Sequence, residues 1–111
     1  MNILNRGQIV VFPTKAFEMW SSLHSEEELF FAEVPEPTVY LMEEEFWDDE
    51  LIIEKYRKKI VQRECMTICS DESKWPIIKD NEQFRIYFSV HLGVMVFDLL
   101  DSELSLESIE S

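Results

Sequence analysis

The sequence predicts an α/β fold, with an α+β arrangement as its variant: one compact layered domain of about three strands with one long and two or three short helices. Three observations carry that expectation. A chain of 111 residues that is 46% apolar can support one core and not two. Short β-branched and period-two runs alternate with stretches of helical spacing. Eight Phe, three Trp and three Tyr supply far more burial than an unfolded polyanion carries.

The first element is Gln8-Ile9-Val10-Val11-Phe12, an apolar run stopped by Pro13, which reads as a strand covered on both faces. Thr14 is placed to cap a helix whose Phe17, Trp20 and Leu23 form its apolar stripe. Ser25 and Glu28 have capping-box spacing, so a short helical segment is expected through Leu29, Phe30 and Phe31 until Pro35 and Pro37 end it. Residues 38–42 set Val39 and Leu41 against Thr38, Tyr40 and Met42, the alternation of a strand.

Asp48, Asp49 and Glu50 then stand where carboxylates favour a helix start, beside unpaired N–H groups and the positive end of the dipole. The helix they open is expected over residues 49–69, with Ile52, Ile53, Tyr56 and Ile60 along one stripe. Lys55, Arg57, Lys58, Lys59 and Arg63 make its solvent face the only basic ground on the molecule, and Glu54 with Lys58 has favourable i,i+4 spacing.

Residues 84–91 fit both a strand and a helix. A hairpin at Leu92-Gly93 needs φ above zero at a leucine, whereas Asp80 with Gln83 makes a capping pair. The helix is preferred, ending near Phe88, and residues 89–99 then form one long strand, apolar on both faces and central in its sheet. Gly93 marks a bulge or a close approach. Right-handed crossovers make the first two strands parallel. Residues 1–100 read as the domain, and 101–111 as a flexible, polar acidic tail.

Charge bounds the function. Residues 16–54 hold thirteen acidic side chains and no lysine or arginine, and the whole chain carries a net charge of −13. A folded chain of this mass exposes roughly 6,500 Å², or about one uncompensated negative charge per 500 Å². Such a surface repels nucleic acid and membranes and attracts cationic partners. With Gly7 and Gly93 the only glycines, no phosphate-cradling loop is possible. Two cysteines, no basic-then-apolar leader and no apolar run near eighteen residues point to a reducing, cytoplasmic setting.

Other chemistry is weaker. Cys65 and Cys69, one helical turn apart, would complete a four-ligand zinc inventory with His24 and His91, but their spacing is not that of a knuckle and free thiols commonly pack as small hydrophobes. No metal and no cofactor is expected. Cys65 or Cys69 with His91 and Asp98 could form a nucleophile, base and orienting acid, though nothing in the spacing demands it. The carboxylates of residues 43–50 lack the glycine and alternation of a calcium loop.

From residue 38 to 99, the strand, the acidic helix start, Trp75-Pro76, Phe84, Phe88, His91 and a closing Val-Phe-Asp-Leu resemble small acidic bacterial proteins of unknown function. The resemblance implies a bacterial source and a compact α/β fold. It transfers no functional residue.

Recognition by charge is therefore the leading expectation. Phe46 and Trp47 lie between two acidic triplets, Glu43-Glu44-Glu45 and Asp48-Asp49-Glu50, as an aromatic anchor within an anionic rim. The structural alternative is that both aromatics staple the long helix to the core. The function expected is a non-enzymatic binding module of inhibitor, immunity or accessory type that docks on a basic protein. A nucleic-acid mimic, a small enzyme using His91, Asp98 and a cysteine, and a self-assembling structural domain are the alternatives.

Overall fold

In chain order the elements are strands β1 (Asn2–Leu4) and β2 (Gly7–Pro13), helix α1 (Lys15–His24), strand β3 (Thr38–Met42), helix α2 (Asp49–Met66), a 3-10 turn (Glu72–Lys74), helix α3 (Asn81–Tyr87) and strands β4 (Phe88–Gly93) and β5 (Val96–Asp98). They come from a computed structural model that describes residues 1–25, 27–31, 33 and 35–109. The fold is a single α+β domain. β2 is central in a three-stranded sheet of order β3-β2-β4, while β1 and β5 form a two-stranded ribbon.

Every pairing is antiparallel, with Val10 opposite Val39 on one side and His91 on the other. The expected parallel pairing of the first two strands is thus overturned. The crossover rule governs strands that must return in the same direction, and the thirteen residues 25–37 between α1 and β3 let the chain reverse instead.

The expected long final strand is also divided. Three residues, Asn5 to Gly7, separate the paired Leu4 and Gln8, whereas only Val94 and Met95 separate Val96 and Gly93 on the opposite strand. That extra residue breaks the ladder in the manner of a bulge and sets the ribbon apart from the sheet. β4 is an edge strand and not the central one; Phe88, Val90 and Leu92 turn inward while Ser89 and His91 are exposed. Both glycines sit at close approaches: an added Cβ would come within 3.0 Å of the Gln8 side chain at Gly93, and within 2.6 Å of the Glu43 carbonyl oxygen at Gly7.

The core forms on one side of the sheet. Ile9 and Val11 of β2 are at most 1% exposed and cluster with Phe17 and Trp20 of α1, Ile52, Ile53 and Ile60 of α2, and Phe84. Phe88 joins them, its ring centroid 4.7 Å from that of Phe17. The stripe of α1 runs through Phe17, Trp20 and Ser21, while Leu23 is 78% exposed. The expected stripe was one residue out of phase at its end, because spacings of three and four from Phe17 lead to Trp20 and Ser21. Ser21 is satisfied in that apolar setting by donating to the Phe17 carbonyl at 2.8 Å.

Capping decides the helix bounds. Asp48 accepts from the N–H groups of Glu50 and Leu51 at the start of α2, and Asp80 accepts from Gln83 N at the start of α3. The long helix stops at Met66, short of the expected Cys69, in a turn where the N–H groups of Ile68 and Cys69 both donate to the Cys65 carbonyl. Thr14 precedes α1 without a side-chain cap; its hydroxyl donates instead to the Ile86 carbonyl at 2.7 Å, tying α1 to α3. No helix is found over residues 27–31, and Glu26, within the expected capping box, lies outside the described residues.

Two indoles close the far end. Trp20 Nε1 donates to the Lys74 carbonyl and Trp75 Nε1 to the Cys69 carbonyl, at 2.9 and 2.7 Å. These bonds join α1, the 3-10 turn and the end of α2 while leaving no buried indole N–H unpaired. Residues 99–109 form no helix or strand, and Leu104 and Leu106 are exposed.

Candidate partner-binding site

The segment between β3 and α2 is built by two opposite demands. Met42 must enter the core and Ile52 and Ile53 must return to it, so the residues between them are looped outward. Glu43 closes one end. It accepts the Tyr56 hydroxyl proton and a 3.2 Å bond from Lys55 Nζ, and these contacts, Tyr56 foremost, hold its carboxyl below the usual carboxylate range.

Glu50 closes the other end. The Arg85 guanidinium forks onto its carboxylate, with Nη1 3.0 Å from Oε2, and Asn81 Nδ2 adds a bond at 3.2 Å. Arg85 first and Asn81 second lower its pKa, and Asn81 also donates to the Glu50 carbonyl at 2.8 Å. The same Asn81 accepts from Arg57 at 2.6 Å. The first turn of α2 is thereby fixed to α3 by planar, charge-assisted contacts.

Of the eight residues expected at the site, four serve the fold. Glu43 and Glu50 are ion-paired, Asp48 is the cap, and Phe46 is half-buried against the core. The other four face solvent. The side chains of Glu44, Glu45 and Asp49 are exposed and form no ion pair among the described residues, and Trp47 is 98% exposed.

The staple expected of both aromatics is therefore made by one. Trp47 occupies the position before the cap, from which a hydrophobic staple would reach Ile52, yet its indole stands clear of the helix. Phe46, one residue earlier, takes the packing role. Leu51, four residues further on, is also exposed, at 62%, a residue that the charge pattern of the segment concealed.

The cations of α2 do not cancel this edge. Among the described residues only Lys55 of the five basic residues on the helix pairs with a carboxylate; Arg57 is engaged by Asn81 and the Lys79 carbonyl, and Lys58, Lys59 and Arg63 form no ion pair. The expected Glu54–Lys58 pair is not formed.

The alternative chemistries are not assembled. Cys65 is wholly buried, which pushes its thiol up to about 12, whereas Cys69 is half-buried, its Sγ 3.8 Å from the Asp71 carbonyl oxygen. His91 lies on the outward side of β4 with its ring edge-on to Phe12, and it lines an open groove of about 590 Å³ that contains no cysteine. Cys69 lines a different cleft, of about 320 Å³, with His24. Asp98 is occupied by the Leu100 N–H at 2.9 Å. Among the described residues no group of three His, Cys, Asp or Glu side chains could hold a metal ion.

One polar cluster escaped the sequence reading. Glu64, half-buried on α2, accepts from the Tyr40 hydroxyl at 2.8 Å and from Thr38 Oγ1 at 3.3 Å. Burial, reinforced by Glu64, raises the pKa of Tyr40. The available signal was a glutamate on the sheet-facing side of a helix, but pairing it with β3 requires the tertiary fold.

No helix among the described residues is long and apolar enough to cross a membrane. Compared with known proteins, the chain matches no protein family, no curated protein and no solved structure.

Proposed function

We propose that this protein is a non-enzymatic recognition module that docks on a basic protein, with Trp47 as anchor and Glu44, Glu45 and Asp49 as the anionic rim. The observation that carries the reading is the 98% exposure of Trp47, in a segment where Glu44, Glu45 and Asp49 form no ion pair among the described residues. A solvent-facing indole has the area to dominate an interface once an apolar pocket covers it. The surrounding acids steer a cationic surface toward it and speed association at low salt.

Support also comes from rigidity. The Glu43–Lys55 and Glu50–Arg85 pairs hold the two ends of the loop, so little ordering of these ends is needed on binding. The setting that fits is a reducing cytoplasm, in which Cys65 and Cys69 stay as the free thiols seen here. An inhibitor, immunity or accessory role in a bacterial cell matches this chemistry.

Affinity capture from the source cell at low and high salt, with wild type and Trp47→Ala in parallel, is the test. A partner retained by wild type at low salt, released as salt rises and lost with Trp47→Ala supports the assignment. Capture that ignores both salt and Trp47 would refute it. Adding duplex DNA as a competitor distinguishes a nucleic-acid mimic, whose partner DNA displaces.

A further inference from the structure

We propose that the outward face of the three-stranded sheet is a self-association surface on which a second copy of this chain packs face to face. An antiparallel sheet covered on one side normally presents polar side chains to water on the other. Here Val10 and Phe12 of β2 turn outward together with Val39 and Leu41 of β3. Val39 and Leu41 are 53% and 50% exposed, on an edge strand that holds no charge and no proline to blunt it.

The polar members of this face are Gln8, Ser89 and His91, so none of its outward strand positions is an acid in a chain that has 23. Glu18 and Glu33 stand at the rim, lining the groove beside Phe12 and His91.

Charge selects the occupant. A two-fold interface sets a patch against itself, so the patch must complement itself. With a net charge of −13, the acidic surfaces of two copies repel each other. A basic partner, in turn, finds no acid on the strands of this face and only Glu18 and Glu33 at its rim, beside Lys15. The neutral apolar face is the one that fits its own copy, through the aligned sheet-on-sheet packing of sandwiches.

Size sets the strength. Three strands about 4.8 Å apart, with about 3.4 Å per residue, give a face of about 300 Å², under half of the ~800 Å² that each partner buries in a standard interface. The adjoining groove, walled by Pro13, Phe31 and Pro35, adds to this. A weak dimer follows, with a dissociation constant of about 0.1–1 mM. Because the copies repel elsewhere, salt strengthens the contact. Docking on a basic partner responds to salt in the opposite sense, so the two proposals stand or fall separately.

Sedimentation velocity of the full chain from ~0.02 to ~1 mM, at low and at ~0.5 M salt, tests the contact. The average mass should climb with concentration, more steeply at the higher salt, and Val39→Thr/Leu41→Thr should remain monomeric with an unchanged circular dichroism spectrum. A wild type that stays monomeric throughout, a dimer weakened by salt, or a dimer indifferent to the double substitution overturns the proposal. A dilution series followed by methyl NMR on the wild type gives a second readout free of any folding defect. Shifts confined to Val10, Val39 and Leu41 support the face, and shifts confined to other methyls exclude it.

Discussion

The Tyr40 hydroxyl donates to the Glu64 carboxylate across 2.8 Å, fastening the edge strand β3 to the C-terminal half of α2. Thr38 reaches the same carboxylate. Tyr40→Phe leaves the ring in place and removes the donor, which should cost about 1–2 kcal/mol and lower the melting temperature by roughly 5–10 °C. The pH response carries a sign. The unfolded chain releases this proton near the ordinary value of 10.0, while the folded chain retains it to higher pH. The contribution is intact below about pH 10 and declines as pH rises beyond it. Urea titrations between pH 8 and 11 should show a shallower alkaline loss for Tyr40→Phe, and equal slopes would contradict the linkage.

Asp48→Ala removes the acceptor for two N–H groups at the start of α2. A cost of about 1 kcal/mol is expected, seen as a drop in melting temperature of roughly 5 °C. Asp48→Asn, which can still cap, should recover most of it. If Asn and Ala lose stability equally, the cap is not the source.

Gly7 and Gly93 differ in what an added methyl would meet. At Gly7 it lies 2.6 Å from a backbone oxygen, whereas at Gly93 the nearest atoms belong to the Gln8 side chain, which can move. Gly7→Ala should destabilise by about 1–3 kcal/mol through overpacking. Gly93→Ala should be the milder of the two, and denaturant midpoints that fail to separate them would count against the close approach.

Trp47 is the exposed member of three indoles, since Trp20 and Trp75 are engaged by carbonyls. Relative to a neutral tryptophan analogue, caesium should therefore quench its fluorescence more and iodide less, because Glu44, Glu45 and Asp49 concentrate cations and repel anions around it. The difference should fade with added salt. Trp47→Ala should remove most of the quenchable emission and shift stability by under ~0.5 kcal/mol.

Stability against pH combines two opposing effects. Glu43, Glu50 and Asp71 are held below their ordinary values of 4.5, 4.5 and 3.8, so their contributions exist above those values and vanish as pH falls through the lower folded ones. Net negative charge acts the other way, destabilising the folded chain at neutral pH and easing as the isoelectric point near 4.4 is approached. The melting temperature should peak at about pH 5 and fall on both sides, and moderate salt should raise it at pH 7. A melting temperature that climbs steadily from pH 5 to 8 at low salt would show that self-repulsion is minor.

Local signals were legible where one residue type decides the outcome. Asp80 with Gln83 located α3 and resolved the strand-or-helix ambiguity of residues 84–91, and the period-two run of residues 38–42 gave β3 its bounds. Strand direction was not legible, because it depends on how residues 25–37 travel and not on the strands they join. The ribbon was missed for a related reason. Asn2, Ile3 and Leu4 are too few for a periodicity, and their partners lie some 90 residues away.

At the candidate site, the acidic triplets showed where charge gathers but not which carboxylates would be neutralised. Glu43 and Glu50 find Lys55 and Arg85 across the fold, while Glu44, Glu45 and Asp49, of the same residue types, form no ion pair among the described residues. The separation of Phe46 from Trp47 was equally hidden, since adjacent aromatics look alike until the backbone turns one of them inward.

Because β2 is the shared strand, the sheet links the start of the chain to its last third, with Gln8 beside Gly93. During synthesis the amino-terminal residues leave the ribosome long before β4 exists. Until then Ile9 and Val11 have only β3 and the early helices to shelter them, so the interior cannot close before β4 has been made.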